Sequence, residues 1–203
     1  MKTDVVRMGV ILAMVLLVSS TASATLLVTG TGEITNGGSG SYKLIYDNAQ
    51  DITWLDYTSG SANWTDQSNW ADNLVVTFEG LTLDEWRLPI AGEGTSKSNH
   101  NTPELGDLYY NSLGGTYYNP PSDTDPFENL IIGGPPNERY WTQTDSGLGT
   151  KWIFQMATGQ NLSAFESESN IAIAVMDGQV PEPATLSLLA LGGLALIRRR
   201  RTA

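Results

Sequence analysis

The 203-residue chain contains no cysteine and a single histidine. Without cysteine no disulfide bond can form, so the fold must be stabilised by a packed core. The chain also has too few histidines and cysteines to form a zinc site from several nitrogen or sulfur ligands. The same shortage argues against a histidine-based catalytic triad. The one histidine, His100, lies among Ser98, Asn99 and Asn101. We interpret it as a solvated loop residue.

Basic residues are also scarce, at eleven against twenty-two acidic residues. Six of the eleven lie close to the two ends of the chain, at Lys2, Arg7 and Arg198 to Arg201. Once these and Asp4 are set aside, five basic residues remain against twenty-one acidic ones. Binding to nucleic acid depends on clustered Lys and Arg that neutralise phosphates. Such an acidic chain argues against nucleic acid as a partner.

The first residues have the pattern of a signal peptide. Lys2 and Arg7 precede an apolar run, Met8 to Val18, and small residues follow at Ala22 and Ala24. This order is typical of export and cleavage by a signal peptidase. We predict a signal peptide over residues 1–24, cleaved after Ala24. A retained N-terminal anchor is the alternative.

The last residues, 180–203, combine three features. A Pro181-Glu182-Pro183 triplet precedes uncharged residues 184–197, and the cluster Arg198, Arg199, Arg200 and Arg201 follows. As a helix, residues 184–197 would cover roughly 21 Å, less than the roughly 30 Å hydrocarbon layer of a bilayer. The arginines favour a cytoplasmic C-terminus, with the chain before Pro181 outside.

These features, in this order, resemble the PEP-CTERM sorting signal of exopolysaccharide-producing Gram-negative bacteria. The resemblance implies transient anchoring in the inner membrane and processing by an exosortase-type enzyme. The protein would then reside at the cell surface or in the extracellular matrix. An ordinary C-terminal membrane anchor is the alternative.

Residues 25–179 remain as one exported domain, large enough for a single core. Trp70, Leu74 and Phe78 recur every four residues and predict an amphipathic helix that begins near Thr65 or Asp66. A second helix is predicted between the cap residue Thr102 and Gly114.

The other segments of this domain predict short strands and loops. The Gly-rich residues 30–41 predict a loop, as do residues 92–101 and 119–126. Strands are predicted over 26–28, 43–46, 52–55, 140–144, 151–157, 161–165 and 171–177. Two early helices and a late set of antiparallel strands predict an α+β domain.

Residues 42–178 also resemble the DUF1566 family, called the Lcl C-terminal domain. The matching blocks follow the family order: Leu44-Ile45-Tyr46-Asp47, Asp51-Ile52-Thr53-Trp54-Leu55, Trp86-Arg87-Leu88-Pro89, Glu104 to Tyr109, Tyr140-Trp141 and Trp152-Ile153-Phe154. The resemblance implies a compact C-type-lectin-like fold on a secreted or surface protein.

Aromatic residues are the candidates for ligand binding, because their faces can stack on sugar rings. We predict that Trp54, Trp70, Trp86, Trp141 and Trp152 belong to the core. Tyr117 and Tyr118 are the preferred exposed pair, and Trp64 is a further candidate. Arg87 could contact an anionic ligand, or form a structural ion pair or a carbonyl contact.

Calcium is the candidate metal. Asp123, Asp125 and Glu128 place oxygen ligands at short spacing in a predicted loop. The ligand count falls short of an EF-hand loop, and a solvated acidic loop is the alternative. Adjacent carboxylates such as Asp84 and Glu85 do not establish a catalytic pair, so we predict no catalytic residues.

The sequence therefore predicts an exported surface or matrix protein without enzymatic activity. Binding of polysaccharide or of a surface protein is the leading hypothesis. A purely structural protein of the biofilm matrix is the first alternative, and an uncharacterised polysaccharide hydrolase is the second.

Overall fold

The computed structural model describes residues 25–92, 103–133 and 139–181. Strands account for 45% of these residues and helices for 13%. The strands are β1 (Leu26–Asn36), β2 (Gly40–Asp47), β3 (Ile52–Thr58), β4 (Val75–Phe78), β5 (Leu81–Leu83), β6 (Tyr140–Gly147), β7 (Thr150–Gln155), β8 (Gln160–Phe165) and β9 (Ile173–Asp177). The helices are α1 (Trp64–Asp72) and α2 (Glu104–Asp107), and a π-helical segment (Leu108–Ser112) continues α2.

The strands form two antiparallel sheets. Six strands make a curled sheet in the order β5-β4-β1-β2-β3-β9, and three make a smaller one in the order β6-β7-β8. β6 of the small sheet bonds to two segments beside β9: Trp141 N donates to Ile171 O, just before β9, and Gln143 N donates to Pro89 O, just after Arg87, which bridges to Val175; both bonds measure 2.9 Å. The curl of the large sheet lets it wrap around the core.

The predicted α+β, C-type-lectin-like fold is therefore wrong, because the domain is mostly β structure with short helices. The first error is the predicted helix that begins near Thr65. It starts as expected, at Trp64, but it ends at Asp72, and Leu74, Val76 and Phe78 are buried at alternate positions. A spacing of four is also an even spacing, so Leu74 and Phe78 fit a strand as well as a helix.

The second error is the Gly-rich segment, which is not a loop. Most of it lies in β1, which pairs with β2 on one side and with β4 on the other. A Cβ atom at Gly30 would overlap the Phe78 ring, and one at Gly32 would overlap the Val76 side chain. The glycines thus make room for side chains of β4, and local composition cannot reveal this.

The remaining elements agree better with the predictions made from the sequence. The four predicted late strands are confirmed as β6 to β9, with shifted boundaries. The second predicted helix is confirmed as α2 with its π-helical segment, and Gly114 follows with a φ of +70°. Residues 119–126 form no helix or strand, as expected.

The core contains three of the five tryptophans predicted there. Trp54, Trp86 and Trp141 are at most 3% exposed, whereas Trp70 and Trp152 are only partly buried. The largest cluster surrounds Trp54 and joins the large sheet to the α2 segment and to β6 and β7. The described domain therefore has a core of three hydrophobic clusters and no disulfides.

No helix within the three described stretches is long and apolar enough to cross a membrane. Several predictions fall on residues outside those stretches. These are the signal peptide with Ala22 and Ala24, His100, the cap Thr102, Glu182, Pro183, the apolar residues 184–197 and the cluster Arg198 to Arg201.

Candidate functional site

An open groove of about 410 Å³ lies at one end of the β2–β3 hairpin. One wall comes from the sheet and the other from the loop that follows Phe127. The lining residues are Tyr42, Tyr57, Thr58, Glu128, Asn129, Leu130 and Ile131.

Two tyrosines form the aromatic wall of the groove. Tyr42 lies near the start of β2 and Tyr57 near the end of β3, so the antiparallel pairing brings them to the same end of the sheet. Their ring centroids lie 4.7 Å apart in an edge-to-face arrangement. Trp70 of α1 extends this row of rings, with its ring centroid 6.0 Å from that of Tyr57. Its indole nitrogen donates a hydrogen bond to Gly37 O.

A buried carboxylate holds the opposite wall in place. Asp56 is 1% exposed, and its oxygens accept hydrogen bonds from the backbone amides of Glu128 and Asn129, both at 2.9 Å. The Thr58 hydroxyl donates to Asn129 O at 2.8 Å. Because buried polar groups are costly unless paired, these bonds position the loop firmly on β3.

The charges beside the groove are paired. The Lys43 ammonium lies 2.9 Å from Glu128 Oε1 and donates to Pro126 O at 2.8 Å. The hydrogen bond to Glu128 raises the pKa of Lys43, although burial acts in the opposite direction. The Glu128 side chain is 70% exposed, so it is open to further hydrogen bonds.

The predicted calcium ligands lie near this wall but are not grouped. Asp123 Oδ1 accepts from Asp125 N at 2.9 Å, and Glu128 faces Lys43 instead. Among the described residues, no three His, Cys, Asp or Glu side chains are grouped so that they could hold a metal ion. The calcium site stays a sequence prediction without a geometry that supports it.

The preferred aromatic pair, Tyr117 and Tyr118, occupies a tight turn. Thr116 and Asn119 exchange two backbone hydrogen bonds on either side of it. Tyr118 is 63% exposed, whereas Tyr117 is partly buried and its hydroxyl accepts from Gln160 Nε2 at 3.1 Å. The structure thus leaves one ring of the pair largely free.

Trp64 and Arg87 are taken up by contacts within the domain. The Trp64 indole nitrogen donates to Thr142 O at 2.9 Å, and the Lys151 ammonium lies 3.7 Å from its ring centroid. Such contacts hold the ring between α1 and the small sheet. They leave less of Trp64 available to a ligand than the sequence suggests.

Arg87 links three parts of the chain. Its guanidinium donates to both oxygens of Glu104, at 2.9 and 2.7 Å, and to Asp177 Oδ1. Burial lowers the pKa of Arg87, but the hydrogen bonds to Glu104 and Asp177 outweigh it, so the pKa rises above its ordinary value. This geometry matches the structural ion pair weighed in the sequence rather than an anionic-ligand contact.

Sequence reasoning missed the groove. Tyr42 and Tyr57 lie next to predicted strands. However, no local pattern shows that residues 128–131 pack against them. The bond from Asn129 N to Asp56, which joins residues more than seventy positions apart, shows that contact. Extending the predicted strands 43–46 and 52–55 by one residue and two residues would have placed both tyrosines in strands. It would not have found the second wall.

Comparison with protein families finds the PEP-CTERM protein-sorting motif at residues 179–201. The predicted resemblance of the C-terminal residues to a PEP-CTERM sorting signal is thereby confirmed. No curated protein and no solved structure matches the chain. The resemblance of residues 42–178 to DUF1566 receives no support. The matched motif marks an exported protein that is anchored in a membrane for sorting and processed by an exosortase-type enzyme.

Proposed function

We propose that the exported domain is a non-catalytic binding module for polysaccharide, with the groove as its binding site. The observation that carries this proposal is the Tyr42–Tyr57 pair, which borders an open groove with polar groups on its other side. A volume of about 410 Å³ falls within the range of ligand sites, roughly 300–1,000 Å³.

The polar groups suit hydroxyl-rich ligands. The Tyr57 hydroxyl makes no hydrogen bond within the described residues, and Asn129 and Glu128 are exposed at the rim. An aromatic ring covers the apolar face of a sugar, while a hydroxyl, an amide and a carboxylate can pair with the sugar hydroxyls. This combination favours a sugar chain over a purely apolar ligand.

The carboxylates of the site favour binding over hydrolysis. A glycosidase of the usual kind needs two carboxyl groups that face the scissile bond. Here Asp56 is buried and accepts hydrogen bonds from the loop, and Glu128 is paired with Lys43. Neither group is poised as one member of an acid and base pair.

Charge narrows the ligand class. The chain outside its signal peptide and terminal arginines has five basic residues against twenty-one acidic ones. Such a surface repels polyanions. We therefore expect neutral or amino-sugar chains to bind, and uronate-rich chains to bind weakly.

The test measures binding of the exported, processed protein to an immobilised neutral glucan, an amino-sugar polymer and a polyuronate. Tyr57→Ala should raise the Kd about tenfold or more, because central aromatic residues carry much of the binding energy. Phe165→Ala is the matched control, since Phe165 of β8 is 63% exposed and lies outside the groove lining.

Two outcomes oppose the proposal. If the protein retains none of the three polymers, the structural matrix alternative is favoured. If Tyr57→Ala binds as the wild type does and also keeps its Tm, the groove is not the site.

Tyr118 is the second candidate surface within the same function. It is largely exposed and has a φ of +59°, which is uncommon for a residue with a side chain. Strained, exposed residues cluster at binding sites. A loss of retention in Tyr118→Ala but not in Tyr57→Ala would move the site to the Tyr117–Tyr118 turn.

A further inference from the structure

The two ends of the described domain meet at one turn, Asn48 to Asp51. At the first end, Thr25 N donates to Asn48 Oδ1 at 2.8 Å. At the other end, Gly178 N donates to Asp51 O at 2.7 Å. The β2–β3 turn therefore holds both the first described residue and the last strand.

The fold continues into the sorting motif without a linker. Val180 is 0% exposed and packs in a core cluster, and the Thr53 hydroxyl donates to Gly178 O at 2.7 Å. Pro181 is exposed. Since the matched motif begins at residue 179, its first two residues belong to the folded domain.

The groove lies at the opposite end of the same hairpin. The turn joins the end of β2 to the start of β3, whereas Tyr42 and Tyr57 lie at the far ends of these strands. Tyr42 is five residues before Asp47, which corresponds to about 17 Å of strand. The axis of the hairpin thus runs from the chain ends to the groove.

We propose that the Asn48–Asp51 end is the surface that the domain presents to the membrane, with the groove pointing away. Pro181 to Pro183 span at most about 10 Å before the apolar segment begins. So short a connection cannot let the domain turn freely. The proposal rests on the sorting motif and not on polysaccharide binding.

The same contacts limit where the chain is cut. The peptide bond that breaks must lie after Val180, because residues 178–180 are held in the fold. The acyl group that forms passes to water or to an amine acceptor, and the new amine leaves with the tail. Peptide mapping of the processed protein should find Pro181 or a later residue at the C-terminus of the domain.

The absence of cysteine allows a direct test in vesicles on residues 25–203, which keep the sorting tail but not the predicted signal peptide, so that only the C-terminal side tethers the domain. Ala49→Cys and Ser39→Cys place a single fluorophore at the turn or at the groove end, on residues that are both exposed. Lipids that carry a spin label at the headgroup should quench the probe at Ala49 at least about twofold more than the probe at Ser39, given the strand length between them.

A linker variant is the matched control. About twelve Gly and Ser residues inserted between Val180 and Pro181 would reach roughly 20 Å and should abolish the difference in quenching. The same insertion after Leu148, at an exposed hairpin tip, should leave it unchanged.

Equal quenching at the two positions, or stronger quenching at Ser39, would overturn the proposal. So would a processed domain that ends at or before Val180. Neither result bears on polysaccharide retention, which is measured on the processed protein.

Discussion

Asp107 carries a carboxylate that the fold accommodates poorly. Its Oδ1 accepts from Asn111, whereas its Oδ2 is buried and has no hydrogen-bond partner among the described residues. Burial raises the pKa of Asp107, the Asn111 bond lowers it, and the charge of Asp47 raises it further. The folded state therefore holds the Asp107 proton more tightly than the unfolded state does.

The raised pKa of Asp107 makes the stability of the fold depend on pH. Between the unfolded and the raised folded pKa, the native protein binds more protons, so the free energy of unfolding decreases as the pH rises through this window. Asp107→Asn should stabilise the protein at pH 7 by less than about 1 kcal/mol after solvent screening. The gain should shrink as the pH falls below the raised pKa.

Thermal unfolding of the variant at pH 7, 5 and 4 measures this effect. Asp84→Asn is the matched control, because Asp84 is exposed. A lower Tm for Asp107→Asn at pH 7 would show that the charged form makes favourable contacts, contrary to our expectation.

At the scale of the elements, β1 depends on two glycines. In an ordinary strand, replacing Gly by Ala stabilises by roughly 0.5–1 kcal/mol. In β1 the opposite is expected, because the Phe78 ring and the Val76 side chain occupy the space of the added methyl groups. Gly30→Ala and Gly32→Ala should each destabilise by about 1–3 kcal/mol, as overpacking does.

Denaturant unfolding of these variants measures the cost. Gly32→Ala combined with Val76→Ala should cost less than the sum of the two single changes, since the second change removes the obstructing side chain although it also truncates a buried core residue. Gly60→Ala is the control, because a Cβ there meets no atom within 4 Å. Neutral Gly30 and Gly32 variants would mean that β1 and β4 do not pack as described.

At the scale of the whole molecule, charge repulsion opposes the compact state. Lys43, Arg87 and Lys151 each form ion pairs with acidic partners, but the twenty acidic residues outside the targeting segments far outnumber the five basic ones. Salt screens such repulsion, with a Debye length of about 30 Å at 0.01 M and about 8 Å at 0.15 M.

We therefore expect the Tm of the processed protein to rise when NaCl is raised from 0.01 to 0.15 M, approximately the range in which screening changes most. Calorimetry at a fixed pH measures this shift, and Arg87→Met separates the contribution of the Arg87 pairs. A Tm that falls with salt would show that attractive pairs outweigh the excess negative charge.

The sequence alone determined the features that depend on neighbouring residues. The sorting motif at 179–201 is a contiguous signal, and the family match confirms it. The late strands and the α2 segment follow from local patterns such as the stop at Gly114. The signal peptide over residues 1–24 is equally local and stays a prediction.

Only the tertiary structure decided the fold class and the groove, because both depend on contacts between distant residues. Gly30 and Gly32 lie in a strand that leaves room for the Phe78 and Val76 side chains of β4. Asp56 is buried where it accepts hydrogen bonds from the loop at Glu128 and Asn129. A spacing of four fits a helix and a strand equally, and the pairing of Val76 with Ile34 of β1, more than forty residues earlier, places this segment in a strand. Long-range pairing sets these features, and no window along the chain contains it.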